Sequence, residues 1–271
     1  MMSMPEKPSL ATDQHNLHLR AKHPITSVGI SADVIATEEG FSRQDVDAFA
    51  AESQRRAQAA IEGGFFDKSL IPIHHDDGSV AIAKDEYPRP GTTVAALAEL
   101  KPTFQSFMDY PMDGTHTFGE VARMTWPDLA IDHVHHAGNS SGIVDGAAAV
   151  LLASERAVQQ HGLRPLARLR GYHVAGVEPT KMGFGPVPAI KGALKHAGLT
   201  LDQMDLVEIN EAFAAQYLAC ERALELNRDI TNVNGGAIAL GHPLAASGAR
   251  IVAHLAHELA RTQGTYAVGS A

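Results

Sequence analysis

The sequence has almost no cysteine: Cys220 is the only one among its 271 residues. A single thiol cannot form a disulfide within the chain, so a disulfide-stapled secreted scaffold is excluded. Zinc sites built from several cysteines are excluded for the same reason. One free cysteine fits a reducing compartment, and we expect a cytoplasmic protein.

Long apolar runs and basic runs are also missing. No apolar stretch of about 18 residues marks a membrane span, and no charged segment precedes a shorter apolar run as in a secretory signal. The net charge is −9 without a basic run, which argues against nucleic acid as a partner. The composition, 45% hydrophobic and 20% charged, is typical of a globular protein with one large or two modest domains. We expect neither a nucleic-acid nor a membrane partner.

The first half of the chain carries one clear helix signal. Ser42 and Asp45 form a capping-box pattern ahead of a helix predicted over residues 43–62. Residues 1–22 are polar, with no hydrophobic period, and are predicted to be a poorly ordered lead-in. Residues 65–136 are predicted to be irregular, with several turn signals.

Strand and helix patterns alternate from about residue 137. The predicted elements are a helix over 146–161, a strand over 166–174, a helix over 188–197, a strand over 206–209, a helix from Asn210, a strand over 230–233 and a helix over 246–262. This alternation predicts an α/β core, and ligands of such sheets bind where strands give way to helices. Asn210 and His242 both occupy junctions of that kind.

His242 lies between a glycine-rich turn and the start of a helix, within residues 232–250. Glycine lets a backbone approach a ligand closely, and a helix N-terminus offers N–H groups and the positive end of its dipole. A histidine there can exchange a proton or polarise a carbonyl. Spacing alone favours a histidine that merely caps the helix, so the wider motif must decide between the two roles.

Three segments in this order resemble signature motifs of the thiolase family of acyl-CoA acyltransferases. They are Gly-Asn-Ser-Ser-Gly-Ile-Val-Asp-Gly-Ala-Ala-Ala at 138–149, Glu-Ile-Asn-Glu-Ala-Phe at 208–213, and residues 232–250. The resemblance covers nearly the whole chain and implies a partial thiolase-like fold, a loop domain followed by a layered α/β C-terminal domain. The implied parts are a remnant of the N-terminal half with an inserted loop domain (1–136), the last piece of the N-terminal thiolase domain (137–163) and a C-terminal thiolase domain without its last strands (164–271).

The resemblance also implies the site residues. The family histidine matching His242 activates a cysteine nucleophile and lines an oxyanion hole, and the asparagine matching Asn210 orients a water in that hole. The substrate-binding positions that it implies are Ser141, Gly142, Met182, Phe213 and Gly241. From residue type alone, Asn210 and Ser141 are helix caps, Met182 fills a gap and Phe213 is a core residue.

Thiolases resemble one another in two cysteines that this chain lacks. One is the nucleophile in the N-terminal half, and the other lies in a Cys-x-Gly motif near the C-terminus. Cys220 matches neither, and its place in a predicted helix is typical of a buried, unreactive thiol. We therefore expect an incomplete thiolase sequence that forms no acyl-enzyme and is poorly soluble or marginally stable by itself.

The resemblance implies the following function for the full-length parent. It reversibly condenses or cleaves acyl-CoA and 3-ketoacyl-CoA through a cysteine thioester, with a coenzyme A thioester as substrate and no cofactor. It is expected to be a homo-oligomer, either a dimer or a tetramer. The alternative is a non-catalytic fragment that binds coenzyme A or takes part in oligomerisation.

Two other hypotheses carry less weight. Gly138, Ser140 and Gly142 satisfy the G-x-S-x-G pattern of α/β-hydrolases, but that motif needs a strong strand before it, and residues 131–136 are poor in strand formers. The histidine clusters at 133–136 and at 254 and 257 suggest a metal, yet no H-E-x-x-H pattern occurs. We expect solvated or capping histidines and no metal.

Overall fold

The computed structural model describes residues 16–271. Its α-helices are α1 (Leu17–Lys22), α2 (Val28–Glu39), α3 (Arg43–Glu62), α4 (Val94–Ala98), α5 (Phe118–Thr125), α6 (Glu155–His161), α7 (Pro186–Ala197), α8 (Ala214–Leu224), α9 (Ala237–Leu240) and α10 (Ser247–Thr262). Its strands are β1 (Ile73–His74), β2 (Val80–Ile82), β3 (Leu206–Ile209) and β4 (Ala267–Ser270), and 3-10 helices cover Ser106–Asp109, Pro179–Phe184 and Leu201–Gln203. Most of the predicted lead-in lies outside the described residues, and its remainder includes α1.

Helix α3 confirms the clearest local prediction in the first half. The Asp45 N–H donates to Ser42 Oγ at 3.2 Å, and the Ser42 N–H donates to Asp45 Oδ2 at 2.8 Å, so the capping box is formed. One face of the helix is buried along most of its length, with Phe49 packed inward. Ile61, in the last turn, is 44% exposed.

Helix α2 was not predicted, because it lacks the one-sided apolar period that marks a surface helix. Every residue from Gly29 to Ala36 is buried. A helix that is apolar on all sides is stable only when other elements surround it. Here α8 and the 3-10 helix Pro179–Phe184 pack against α2.

The region predicted to be irregular contains more structure than expected. Strands β1 and β2 form an antiparallel hairpin around the predicted turn, with Gly78 in the left-handed conformation. Helix α5 begins with a second capping box, in which Thr117 and Glu120 exchange hydrogen bonds. The Thr-x-x-Glu spacing is visible in the sequence and could have located this helix.

Strands β3 and β4 run parallel, with Leu206 opposite Ala267, and form the middle of a layered arrangement. Leu206 packs against Ile251 and Leu255 of α10 on one side of the pair. The next residue, Val207, joins a core cluster with α3, α7 and α8 on the other side. Alternation along a strand explains this two-sided packing. The layered α/β fold expected from the sequence is confirmed.

The strand predicted over 230–233 is reduced to one parallel bridge between Val207 and Thr231. The prediction is wrong because Asn232 adopts a positive φ of 46°, which ends an extended strand. Its side chain then replaces the backbone ladder: Asn232 Oδ1 accepts from the Ile209 N–H, and Asn232 Nδ2 donates to the Ile209 carbonyl, both at 2.9 Å. The chain therefore turns at Asn232, and the backbone N–H and carbonyl of Ile209 in β3 remain hydrogen-bonded.

Two elements predicted from apolar runs form only in part or not at all. The helix predicted over 146–161 is present only as α6, which begins after Ser154, whose Oγ accepts from the Ala157 N–H at 3.2 Å. The strand predicted over 166–174 is absent, and Leu169 is 65% exposed. Such segments become regular mainly by burying an apolar face. No residue between 143 and 178 is buried in the described structure.

Candidate active site

Backbone hydrogen bonds bring the three motif segments together. The Ser141 N–H donates to the Ala212 carbonyl at 2.9 Å, and the His242 N–H donates to the Gly142 carbonyl at 2.8 Å. Isolated bridges pair residues 140 with 213 and 143 with 242. The segment after Asn139 therefore lies between the loop of Asn210 and the turn of His242, and these predicted site residues share one region of the molecule.

The imidazole of His242 is half-buried and held by the first residue of α10. Its Nδ1 lies 2.7 Å from Ser247 Oγ, which is also 3.2 Å from the Pro243 carbonyl oxygen. The single hydroxyl hydrogen can point to either acceptor. When it points to Pro243, His242 Nδ1 carries the proton and Nε2 is a free base; when it points to Nδ1, Nε2 carries the proton and is a donor. Ser247 thus allows both roles expected of this histidine.

The charge state of His242 follows from its surroundings. Burial lowers the pKa of His242, and the positive charge of Arg250 lowers it further. The ring is therefore neutral at neutral pH, which the base role requires and the donor role permits.

Gly241 fixes the path of the turn before the histidine. Its φ is 88°, and a Cβ added there would lie 2.6 Å from Val144 Cγ2. Both observations require glycine. The position predicted as substrate-binding is thus explained by backbone shape. Gly142 lies against the ring of Tyr87.

Asn210 occupies the predicted junction but does not begin a helix. Helix α8 begins at Ala214, with Phe213 as its N-cap, so the capping role assigned to Asn210 is wrong. The side chain of Asn210 is buried, and Oδ1 has no hydrogen-bond partner among the described residues. The Oγ of Ser140 is buried and unpartnered as well. Because buried polar atoms are nearly always paired, each of these two atoms marks a position where a ligand or water can supply the missing partner.

Phe213 and Met182 differ in how closely they join the site. The Phe213 ring is half-buried, with its centroid 5.7 Å from that of Phe104 in an edge-on arrangement. Met182 is 53% exposed on the 3-10 helix Pro179–Phe184. Its neighbour Gly183 packs against Gln216, whose Oε1 accepts from the Ala212 N–H at 3.1 Å. Met182 is therefore connected to the candidate site only indirectly, through Gly183 and Gln216.

Sequence reasoning missed the role of Glu211, which is fully buried beside Asn210. Ser53 Oγ of α3 donates to Glu211 Oε2 at 2.7 Å, the Ile238 N–H of α9 donates to the same oxygen at 3.2 Å, and Asn232 Nδ2 donates to Oε1 at 2.9 Å. Burial raises the pKa of Glu211, against the effect of these donors. The sequence feature that could have identified Glu211 is a carboxyl group that follows an apolar strand and precedes a helix. Glu211 ties the Asn210 loop to α3 and to the turn before His242.

The histidine cluster at 133–136 is mostly internal. His133 Nδ1 and His135 Nδ1 each lie 2.7 Å from a carboxylate oxygen of Asp33, and His136 Nε2 lies 2.8 Å from Asp47 Oδ1. Of the two alternatives expected for these histidines, solvated or capping, the solvated one is wrong for His135 and His136, which are buried and accept backbone N–H groups. His254, in the second predicted group, lies 3.7 Å from a carboxylate oxygen of a buried glutamate on β3. Within residues 16–271, no group of three or more potential ligands is placed to hold a metal ion.

Cys220 is completely buried in the core, as predicted. Its thiol lies 3.3 Å from the Gly183 carbonyl oxygen, and burial raises its pKa to about 12. A thiol with that pKa supplies almost no thiolate near neutral pH. Cys220 cannot serve as the acyl-carrying nucleophile.

The hydrolase hypothesis fails on local structure. No strand precedes Ser140 between residues 126 and 139, and no helix follows before α6 begins at Glu155. A nucleophile elbow requires both elements at once.

Within residues 16–271, none of the helices combines the length and the hydropathy of a membrane-spanning segment.

Comparison with known proteins gives two family matches that together include most of the chain. The model of the N-terminal thiolase domain matches residues 11–125, and that of the C-terminal thiolase domain matches residues 163–271. Mitochondrial 3-ketoacyl-CoA thiolase of Bos taurus is 49% identical over 251 residues, which are 92% of this chain and 57% of the relative. Beta-ketoadipyl-CoA thiolase of Acinetobacter baylyi is 44% identical over 260 residues, which are 94% of this chain and 59% of the relative. The chain therefore spans a little over half the length of these relatives.

Solved structures show the same likeness. The crystal structure of human mitochondrial 3-ketoacyl-CoA thiolase matches with a TM-score of 0.72 at 45% identity, over 90% of this chain and 56% of that one. A structure of the same human protein in complex with CoA gives a TM-score of 0.71 at 44% identity, over 90% and 55%. The Bacillus anthracis acetyl-CoA acetyltransferase gives 0.74 at 39% identity, over 90% and 56%.

Proposed function

The chain belongs to the thiolase family, and from that premise we propose that its parent protein is an acyl-CoA acyltransferase. The reaction is the reversible condensation or cleavage of acyl-CoA and 3-ketoacyl-CoA through a cysteine thioester. Relatives named 3-ketoacyl-CoA thiolase and beta-ketoadipyl-CoA thiolase support this reaction class, and the human relative solved with CoA supports an acyl-CoA substrate.

The observation that carries the proposal is that two motif segments held together by backbone hydrogen bonds each carry a buried oxygen without a partner among the described residues, Ser140 Oγ and Asn210 Oδ1, and that the first of these segments also binds the His242 turn. During acyl transfer, negative charge develops on the thioester oxygen, and donors that are already in place stabilise it. In our proposal, His242 Nε2 and a water oriented by Asn210 hold this oxygen. The neutral state of His242 lets it also take a proton from a nucleophile. Ser141 and Gly142, held beside that turn, contact the pantetheine arm.

The 271 residues supply only part of this machinery. Cys220 is their only thiol, and its burial and raised pKa prevent it from forming an acyl-enzyme. We propose that the chain by itself binds acyl-CoA without turnover. The alternative role, oligomerisation without ligand, is favoured by the exposed apolar side chains of residues 143–178.

Binding and turnover are separated by two measurements on the chain. Calorimetric titration with acetyl-CoA is expected to show saturable binding, weakened roughly tenfold or more by Asn210→Ala, since a buried polar partner is lost. Asn227→Ala, at an exposed asparagine, is the matched control. Mass spectrometry after incubation with acetyl-CoA is expected to show no acetyl adduct. An adduct on Cys220 would contradict the absence of acyl-enzyme, and absence of binding at millimolar acetyl-CoA would favour the oligomerisation role.

The parent activity needs its own test. Protein purified from its source is expected to cleave acetoacetyl-CoA in the presence of coenzyme A. Changing His242 to Ala is expected to lower kcat by about 10²–10⁴, the usual effect of removing a general acid–base group. A variant with unchanged kcat would remove His242 from the proposed chemistry.

We further propose that the parent is a cytoplasmic homo-oligomer, a dimer or a tetramer. The 271 residues contain no pair of cysteines that could form a disulfide, which supports a reducing compartment, and the exposed apolar side chains support association. Sedimentation and cell fractionation test the two statements. Recovery with mitochondria, as the names of the mammalian relatives suggest for those proteins, would refute the location.

A further inference from the structure

His135 connects a buried carboxylate to the start of helix α8. The ring is fully buried, with Nδ1 2.7 Å from Asp33 Oδ1. Its other nitrogen, Nε2, accepts a hydrogen bond from the Ala215 N–H at 3.2 Å. The N-cap residue of α8 is Phe213, which makes no side-chain capping bond, so the His135 ring satisfies a helix N–H that the local sequence leaves open. The same ring meets the Phe213 ring edge-on, with centroids 5.4 Å apart.

His136, the next residue, makes the corresponding contacts through the opposite nitrogens. Its Nε2 lies 2.8 Å from Asp47 Oδ1, and its Nδ1 accepts from the Gly138 N–H at 3.0 Å. Asp47 also accepts from Asn139 Nδ2 at 2.8 Å and from Arg43 Nε at 2.7 Å. Gly138 and Asn139 begin the segment that runs through the candidate site.

The backbone partners fix where each ring carries its proton. A backbone N–H can only donate, so the ring nitrogen that faces it must be unprotonated. Asp33 and Asp47 face the other nitrogens, and a carboxylate only accepts when it is ionised. The proton must therefore be on Nδ1 in His135 and on Nε2 in His136.

We propose that His135 and His136 are positioning residues held as neutral rings in opposite tautomers, which fix the two backbone segments of the candidate site. His135, oriented by Asp33, fixes the start of α8 behind Phe213. His136, oriented by Asp47, fixes the turn at Gly138. The inference goes beyond the proposed acyl transfer, because it concerns how the loops are held and stands whether or not the chain binds acyl-CoA.

The tautomers can be measured directly in the whole chain. Long-range ¹H–¹⁵N spectra of protein labelled in its histidine rings separate protonated from unprotonated ring nitrogens at neutral pH, and His135→Gln and His136→Asn assign the signals. The expected result is a protonated Nδ1 with bare Nε2 for His135, and the reverse for His136. The same tautomer in both rings, or a doubly protonated ring at either position, would overturn the proposal.

Conservative variants test whether His135 and His136 position the backbone through hydrogen bonds or only fill space in the core. A glutamine amide reaches about as far as Nε2, and an asparagine amide about as far as Nδ1. His135→Gln is therefore expected to preserve slow exchange of the Ala215 amide hydrogen, whereas His135→Asn accelerates it roughly tenfold, as for one lost hydrogen bond. At His136 the expected order is reversed. His136→Asn preserves slow exchange of the Gly138 amide hydrogen, and His136→Gln accelerates it.

Each pair serves as the control for the other, since changes at His135 are expected to leave Gly138 exchange unaltered. Equal rescue by Asn and Gln at either position would show that only side-chain volume matters and would refute the proposal. If a variant does not fold, the spectrum of the unaltered chain still decides the tautomers.

Discussion

Two apolar regions of the chain differ in how far their side chains are buried. The site core, which we define as β3, α8 and residues 230–242, buries its apolar side chains, with Ile209 inaccessible to solvent. The exposed segment, residues 143–178, is also rich in leucine, valine and alanine, yet Leu151 is 84% exposed and Val174 is 85% exposed. Local apolar content is similar, but the site core is enclosed by neighbouring elements, whereas the exposed segment contacts α7 and the His242 turn along only parts of its length. Burial is thus a property of the partners as much as of the segment.

The largest contrast is expected from truncating one apolar side chain in each region. Ile209→Ala leaves a cavity between β3 and the helices and is expected to lower the free energy of unfolding by about 3 kcal/mol. Leu151→Ala removes a solvent-facing side chain and is expected to change it by less than about 0.5 kcal/mol. Urea denaturation followed by circular dichroism measures both. Equal losses of unfolding free energy in the two variants would show that the exposed segment is packed in solution, and the two regions would then not differ in burial.

A second pair of variants tests how tightly the site core is filled. A Cβ at Gly236 would lie 2.4 Å from Glu211 Cδ, whereas nothing lies within 4 Å of a Cβ at Gly248. We expect Gly236→Ala to cost about 2 kcal/mol through overpacking of the buried carboxyl network. Gly248→Ala, in the first turn of α10, is expected to be neutral or slightly stabilising. If Gly236→Ala unfolded at the same urea concentration as its control, Glu211 would not be fixed where the structure places it.

Acid sensitivity is expected to arise next to the site core. Burial raises the pKa of Asp33, but the hydrogen bonds from His133 and His135 outweigh it and hold the pKa below its usual 3.8. A carboxyl with a depressed folded-state pKa contributes stability above its unfolded value, and this contribution is lost as the pH falls through the folded value. Unfolding free energy should therefore decline below about pH 4.

Asp33→Asn is the matching variant for that decline. It should be about 1–3 kcal/mol less stable near neutrality, because the amide replaces one of the two acceptor oxygens that face His133 and His135 with a donor. Its stability should also depend less on pH below 4 than that of the unaltered chain. Parallel pH profiles for the two proteins would show that Asp33 does not contribute to acid sensitivity.

The smallest expected effect concerns His242 alone. Burial and the charge of Arg250 lower its pKa below 6.5, so its ring should titrate at lower pH in the folded chain than after unfolding in urea. Proton NMR of the ring resonances measures this difference. A folded pKa equal to the unfolded one would mean that the turn at His242 is open to solvent, as the exposed segment is.

Local signals predicted the elements whose ends are set by short-range chemistry. Helix α3 follows from the pattern at Ser42 and Asp45, α7 ends at Gly198 in the left-handed conformation, and α10 forms as predicted. The start of α8 was mispredicted, because Asn210 offers a cap in sequence while the His135 ring supplies one from a distant part of the chain. The missing strand near Leu169 required a neighbouring strand, which no local pattern reveals.

Sequence alone determined the family, the layered α/β class and the burial of Cys220, because motifs and apolar periods are local properties. Tertiary structure decided which polar groups meet. Glu211 with Ser53 and His135 with Asp33 are pairs separated by about a hundred residues or more. Hydrogen bonds depend on distances of a few ångströms, and only the folded chain sets those distances.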